Sequence, residues 1–211
     1  MILYYISYDR QRQPRTTLKT CHIRHNHGKR STVNSKLQLI LGGARSGKSR
    51  FSLNQGNESA FERRIFLATA TFQDEEMKIR IRKHQTERGP QWETIEEPYH
   101  LAESLQKLNR SEKVLIVVDC ATLWLSNLLC GISGESLSAD EIEKKFDGLL
   151  NVLSPTRSHI RIVSNEVGLA VVPDNLLGRQ FRDLQGLLNQ KLAFQADEVF
   201  FMIAGLSQKL K

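Results

Sequence analysis

The run Gly42-Gly43-Ala44-Arg45-Ser46-Gly47-Lys48-Ser49 satisfies the pattern G-x-x-x-x-G-K-[ST]. Each position has a chemical reason. Gly42 and Gly47 allow backbone angles and close approaches that a Cβ would hinder. Backbone N–H groups can then converge on a nucleotide's phosphates, and the start of a following helix adds positive potential. Lys48 is placed to neutralise β- and γ-phosphate charge, and the Ser49 hydroxyl can ligate Mg²⁺. The expected companion is an acid closing a neighbouring apolar strand. Asp119, directly after Val114–Val118, fits as a Mg²⁺ contact, or as the N-cap of a helix starting at Ala121. No Asn-Lys-x-Asp guanine-reading motif accompanies the loop, which argues against a GTPase switch.

A second chemical group stands on a predicted helix, "FQDEEMKIRIRKHQTER". Met77, Ile81 and His84 share one face of it. Arg80 and Arg88 lie one turn to either side of His84, and their charge disfavours a protonated imidazole. A neutral imidazole is a nucleophile, and the same arginines can attract a phosphate. Taken alone, the spacing more often marks a half-buried core histidine.

These groups need a scaffold that carries them to one edge. "LQLILGG", "RIFLATA", "WETIEEP", "KVLIVVDC", "HIRIVSNEVG" and "DEVFFMIAG" read as strands. Helical patterns alternate with them, ending in the long "NLLGRQFRDLQGLLNQKLAFQ", where Leu177, Phe181, Leu184 and Leu188 form one stripe. Strand–helix alternation predicts an α/β domain: a phosphate-loop NTPase-type three-layer fold with a mainly parallel sheet. Asn165 and Glu166 fall at a strand's end, where open α/β sheets bind ligands. Trp92 and Trp124 are candidates for stacking on a ligand or for the core.

The 211-residue chain carries a formal charge of +7, but the charge is not spread over the domain. Residues 1–36 hold eight bases against Asp9 alone, and the remainder is formally neutral. The excess describes a basic N-terminal extension, expected to be disordered, and not a nucleic-acid-binding face. Residues 37–211 form the expected catalytic domain. In the extension, Cys21, His22, His25 and His27 lie close together but match no closed zinc pattern. The longest strongly apolar run is Val114–Val118, too short for a transmembrane segment. Three cysteines without a paired framework point to a reducing, cytoplasmic setting.

Taken in order, "GGARSGKSR", "ATA", "DEEM…RI…H…R…W.T.EEP", "DC.TLW.SNLL", "SNEVG…VP" and "FRD..G..NQ.LA..ADEV" resemble one family. It is the bifunctional adenosylcobinamide kinase / adenosylcobinamide-phosphate guanylyltransferase family of cobalamin biosynthesis, and the resemblance runs from about residue 37 to the end. It implies that ATP or GTP phosphorylates adenosylcobinamide. GTP then gives GMP to that phosphate through a guanylyl-histidine, releasing pyrophosphate. It also implies a homo-oligomer, typically a trimer. Carried over, the phosphate loop falls on Gly42–Ser49 and further nucleotide contacts on Ala68, Thr69 and Ala70. The guanosine contact falls on Glu96, with Glu97 as its alternative, the guanylylated residue on His84, and the strand-end acid on Asp119. Glu166 is a candidate on the acceptor side, as base for the cobinamide hydroxyl or as a residue ordering its loop. Ala170 stands where the family pattern has glycine, and a proline expected near Ser207 is missing. The loop alone also fits a nucleotide-dependent regulator or binding module with no corrinoid acceptor.

Because the motifs begin after the charge excess ends, deleting residues 1–34 is expected to leave both activities and the thermal midpoint nearly unchanged. A clear drop in the midpoint would show that the extension packs on the body.

Overall fold

A parallel strand covered on both faces must be apolar at every position, whereas a half-exposed strand alternates. Val114–Asp119 is such a strand: Leu115 to Val118 are all buried, with Ile116 and Val118 on one face and Leu115 and Val117 on the other. The computed structural model describes residues 35–55, 60–70, 89–131 and 136–211. The predicted helix carrying His84 lies outside the described residues, as does residue 1–34 with its cysteine–histidine cluster.

The strands are β1 (Leu37–Gly42), β2 (Arg63–Ala68), β3 (Glu93–Glu96), β4 (Val114–Asp119), β5 (His159–Val163), β6 (Glu198–Ile203) and β7 (Leu206–Lys209). They form one sheet in the order β3-β2-β4-β5-β1-β6-β7. Every pairing is parallel except β6 with β7. The helices are α1 (Lys48–Leu53), α2 (Leu101–Leu108), α3 (Ala121–Cys130), α4 (Ala139–Val152) and α5 (Leu176–Gln195). Helices α2 to α5 cover one face through Leu105, Trp124, Phe146 and Leu188, all in the main core. On the other face Leu53 of α1 packs toward Phe66, Leu115 and Val117, giving three layers. Trp124 is thereby core, packed near Phe146 with its Nε1 donating to Tyr99 O, and is unavailable for stacking on a ligand. Trp92 is half-buried against the smaller cluster.

Two features were not in the sequence reading. The antiparallel edge strand β7 has four exposed residues, so it carries no burial pattern to read. Arg161, buried on β5, donates to Gln38 Oε1 at 3.0 Å, Ser52 O at 2.7 Å and Gln55 O at 2.5 Å. A buried guanidinium needs such partners. Here they include carbonyls at the end of α1, so the short helix after the phosphate loop is pinned to the sheet.

Candidate active site

Parallel register carries distant residues to one edge. Glu96, Ala68, Asp119, Val163 and Ile40 lie in one row across β3, β2, β4, β5 and β1. The row is at the carboxyl ends of the strands, and the glycine loop leaves β1 two residues beyond it. Helix α1 after β1 and helix α5 after β5 cover opposite faces, so the loop opens into the crevice where open α/β sheets take ligands.

The loop's shape depends on its glycines. Gly42 has φ 147° and Gly47, the N-cap of α1, has φ 95°. A Cβ on Gly42 would stand 2.5 Å from Met202 O, and one on Gly47 would stand 3.3 Å from Gly205 Cα. The turn between β6 and β7 thus braces the loop, and Gly205 N–H donates to Ser46 O at 3.0 Å. From the other side Glu166 N–H donates to Gly42 O at 3.1 Å. Gly43, Ala44 and Arg45 remain exposed at the apex, Arg45 with a positive φ of 55°.

Lys48 is buried, and its ammonium turns back into the loop, donating to Gly43 O at 2.6 Å and Ser46 Oγ at 3.4 Å. Burial lowers its pKa from the ordinary lysine value, and Cys120 and Asp119 act in opposition. Burial, then the adjacent Asp119, push the Cys120 thiol up to about 12, so the thiol is uncharged at neutral pH. Asp119 therefore sits within electrostatic reach of Lys48. It does not cap α3: the N-cap is Cys120, without a side-chain cap. Ser49, half-buried on the first turn of α1, follows directly in the chain.

Thr69 is fully buried and fixes this corner. Its hydroxyl donates to Cys120 O at 2.7 Å and accepts from Cys120 N–H at 2.8 Å. Its own N–H donates to Asp119 O, and its carbonyl accepts from Asn127 Nδ2 at 2.8 Å. The end of β2 is thereby tied to the turn that presents Asp119. Ala68 O accepts from Glu97 N–H, which extends β3 past Glu96. The two adjacent acids then separate in role. Glu97 accepts from Tyr99 N–H, His100 N–H and the Ser104 hydroxyl, so it organises the start of α2. Burial works to raise its pKa, but those bonds hold it below the usual carboxylate value. Glu96 stays exposed on edge strand β3, two strands from Asp119 and so roughly 10 Å away across the sheet.

A buried polar network, also unforeseen, supports the loop after β5. Ser164 Oγ donates to Asn189 Oδ1 at 2.7 Å, Gln185 Nε2 donates to both, Asn189 Nδ2 donates to Asn165 O, and Asn165 N–H donates to Thr122 Oγ1. Single polar residues on α3 and α5 give no sequence signal of such a partnership.

A glycine loop between a buried strand and helix, a lysine folded into it and an acid at the end of β4, which β5 separates from β1, define a phosphate-loop nucleotide-binding α/β protein. The family described as cobinamide kinase / cobinamide phosphate guanyltransferase (CobU) matches residues 38–210, and the chain belongs to that family of bifunctional enzymes. It is 41% identical over 173 residues to the bifunctional adenosylcobalamin biosynthesis protein CobP of Pseudomonas aeruginosa, covering 82% of this chain and 96% of that protein. It is 34% identical over 183 residues to the bifunctional adenosylcobalamin biosynthesis protein CobU of Escherichia coli, covering 82% and 98%. Among solved structures, the flagellar accessory protein FlaH from Methanocaldococcus jannaschii aligns with a TM-score of 0.44 at 13% identity, over 83% of this chain and 78% of that one. Among the described residues no helix is long and apolar enough to cross a membrane.

Thr69→Val keeps the shape of the side chain but removes the hydroxyl that Cys120 N–H donates to, and leaves the Cys120 carbonyl with Trp124 N–H alone. The expected loss of unfolding free energy in urea is about 2–3 kcal/mol, with a further fall in nucleotide affinity as Asp119 loses its support. A loss below about 0.5 kcal/mol would show that these bonds do not hold the corner.

Proposed function

We propose that one phosphate site serves two successive reactions. In the first, the terminal phosphoryl group of ATP or GTP passes to the hydroxyl of adenosylcobinamide. In the second, His84 attacks the α-phosphorus of GTP, the bond to the β-phosphate oxygen breaks and pyrophosphate leaves. The oxygen of adenosylcobinamide phosphate then displaces the histidine, giving adenosylcobinamide-GDP and free His84. The observation that carries this reading is the convergence of Lys48, Ser49 and Asp119 at the crevice beside the glycine loop, in a chain of this family.

Residues Gly42 to Ser49 supply the phosphate cradle, with Lys48 released from Gly43 O and Ser46 Oγ to meet the phosphates. Both reactions build charge on bridging and leaving oxygens, which a buried ammonium offsets strongly. Ala68, Thr69 and Ala70 border the nucleotide; Thr69 does so by shaping the corner, since its hydroxyl, N–H and carbonyl are all engaged within the protein. Glu96 is proposed as the guanosine contact, and the commitment of Glu97 to α2 supports that choice. The donor set suits Mg²⁺: the Ser49 hydroxyl and Asp119 carboxylate are hard oxygen ligands beside the cradle, leaving the remaining positions to phosphate and water. Such an ion neutralises charge on the phosphate oxygens. We further place the enzyme in the cytoplasm, from its cysteine usage, and as a homo-oligomer, a trimer by resemblance.

A guanylyl-histidine is a phosphoramidate, stable in base and labile in acid. Incubation with GTP labelled at the α-phosphate, without acceptor, is expected to leave acid-labile label on the protein. His84→Ala should abolish the label while kinase activity remains measurable. Label at the wild-type level in the variant would move the assignment to a neighbour such as Lys83.

A further inference from the structure

The segment after β5 breaks the rule that large apolar side chains find cover. Leu169, Val171, Val172, Leu176 and Leu177 are 82%, 92%, 58%, 73% and 51% exposed. Single exposed apolar residues are ordinary, but a contiguous set marks a binding surface. Both ends of this segment are tied down. At its root Glu166 N–H holds Gly42 O, Asn165 N–H holds Thr122 Oγ1, and Gly168 N–H donates to the Glu166 carboxylate at 2.7 Å. At its far end Arg179 Nη1 donates to Pro173 O and Asp174 O, and Asn175 caps α5 through Gly178 N–H. The fold therefore holds these side chains out in solvent beside the phosphate loop.

We infer that residues 169–177 form the surface on which the macrocycle of the corrinoid acceptor lies. This rests on the functional reading above and adds the acceptor's place to it. A phosphoryl acceptor must bring its hydroxyl to the phosphate loop, so the bulk of that molecule must rest on whatever adjoins the loop. Two apolar rims do so. One is the β6–β7 turn, with Ile203 and Leu206 exposed, and Arg50 stands beside it at Gly205. The other is the 169–177 segment, with the carboxylate of Glu166 at its root and Asp174 and Arg179 together at its far end. An alkylcobalt(III) corrin is a cation with a methyl-studded ring edge. An apolar surface with an acid at the end that meets the phosphate loop matches it better than a turn flanked there by Arg50. Leu169 and Val171 supply apolar contact, and Glu166 at the root faces the joint between acceptor and phosphate loop.

The test is Leu169→Ser/Val171→Ser in the full chain. Both side chains are exposed, so folding should survive, and the thermal midpoint checks that it does. Adenosylcobinamide binding is read by equilibrium dialysis through its visible absorbance and by KM in the kinase assay. Labelling by α-labelled GTP without acceptor and sedimentation velocity are read in parallel. The inference expects KM and Kd for the corrinoid to rise at least about tenfold, with kcat, labelling and sedimentation kept. Corrinoid affinity within about twofold of wild type overturns it, and with altered sedimentation would make this face a contact between copies. Loss of corrinoid affinity together with altered sedimentation also counts against it, since the effect then runs through assembly. If the wild-type protein itself neither binds nor phosphorylates adenosylcobinamide, the functional reading falls and takes this surface with it. Should the double variant unfold, Val171→Asn alone carries the same readouts.

Discussion

Two backbones meet where no side chain can stand. Gly42 lies against Met202 O of β6, where a Cβ would clash, and Gly47 lies close against Gly205 of the β6–β7 turn, so the phosphate loop and this hairpin are held in close backbone contact. This contact, with the Gly205 N–H to Ser46 O bond, sets the loop's curvature. The curvature leaves the apex exposed and folds Lys48 inward, where burial makes its charge worth more than it would be in water. The other parts of the site are arranged around a loop shaped in this way.

The supporting parts act through backbone positions more than through direct contacts. Arg161 holds the end of α1, Thr69 clamps the Asp119–Cys120 turn, and the Ser164–Asn189–Gln185 network steadies the segment that touches Gly42 O. Each is buried, and each ends on a main-chain or side-chain oxygen of a neighbouring element. Buried hydrogen bonds of this kind are costly to break, so their loss should disturb both the fold and the geometry of the proposed chemistry.

Sequence patterns reached the elements that burial writes into composition. β4 was readable because a covered parallel strand is continuously apolar, β1 and β5 because apolar residues dominate despite Gln38, His159 and Arg161, and the glycine loop because its spacing is dictated by phosphate geometry. β7 was not, since a short exposed edge strand has no periodicity. The stripe on α5 was readable only in part: Leu184 and Leu188 are core, Phe181 is half-buried, and Leu177 is more than half exposed in the helix's first turn. For the site, register explains how Glu96 and Asp119 reach one edge, but no local pattern could separate Glu96 from Glu97. That separation came from the hydrogen bonds at the start of α2. Thr69 was picked out by resemblance as a nucleotide contact, and its tie to Cys120 depends on a pairing 51 residues away in the chain.

The central claim is that a single phosphate site serves both bond-breaking positions, and Lys48→Ala tests it most directly. Kinase turnover with saturating acceptor and GTP-dependent labelling of the enzyme should be measured on the same preparation. The account predicts that both fall together, by a barrier increase on the order of 2–4 kcal/mol in each. Normal labelling alongside lost kinase activity would contradict it, because the two reactions would then require separate nucleotide sites.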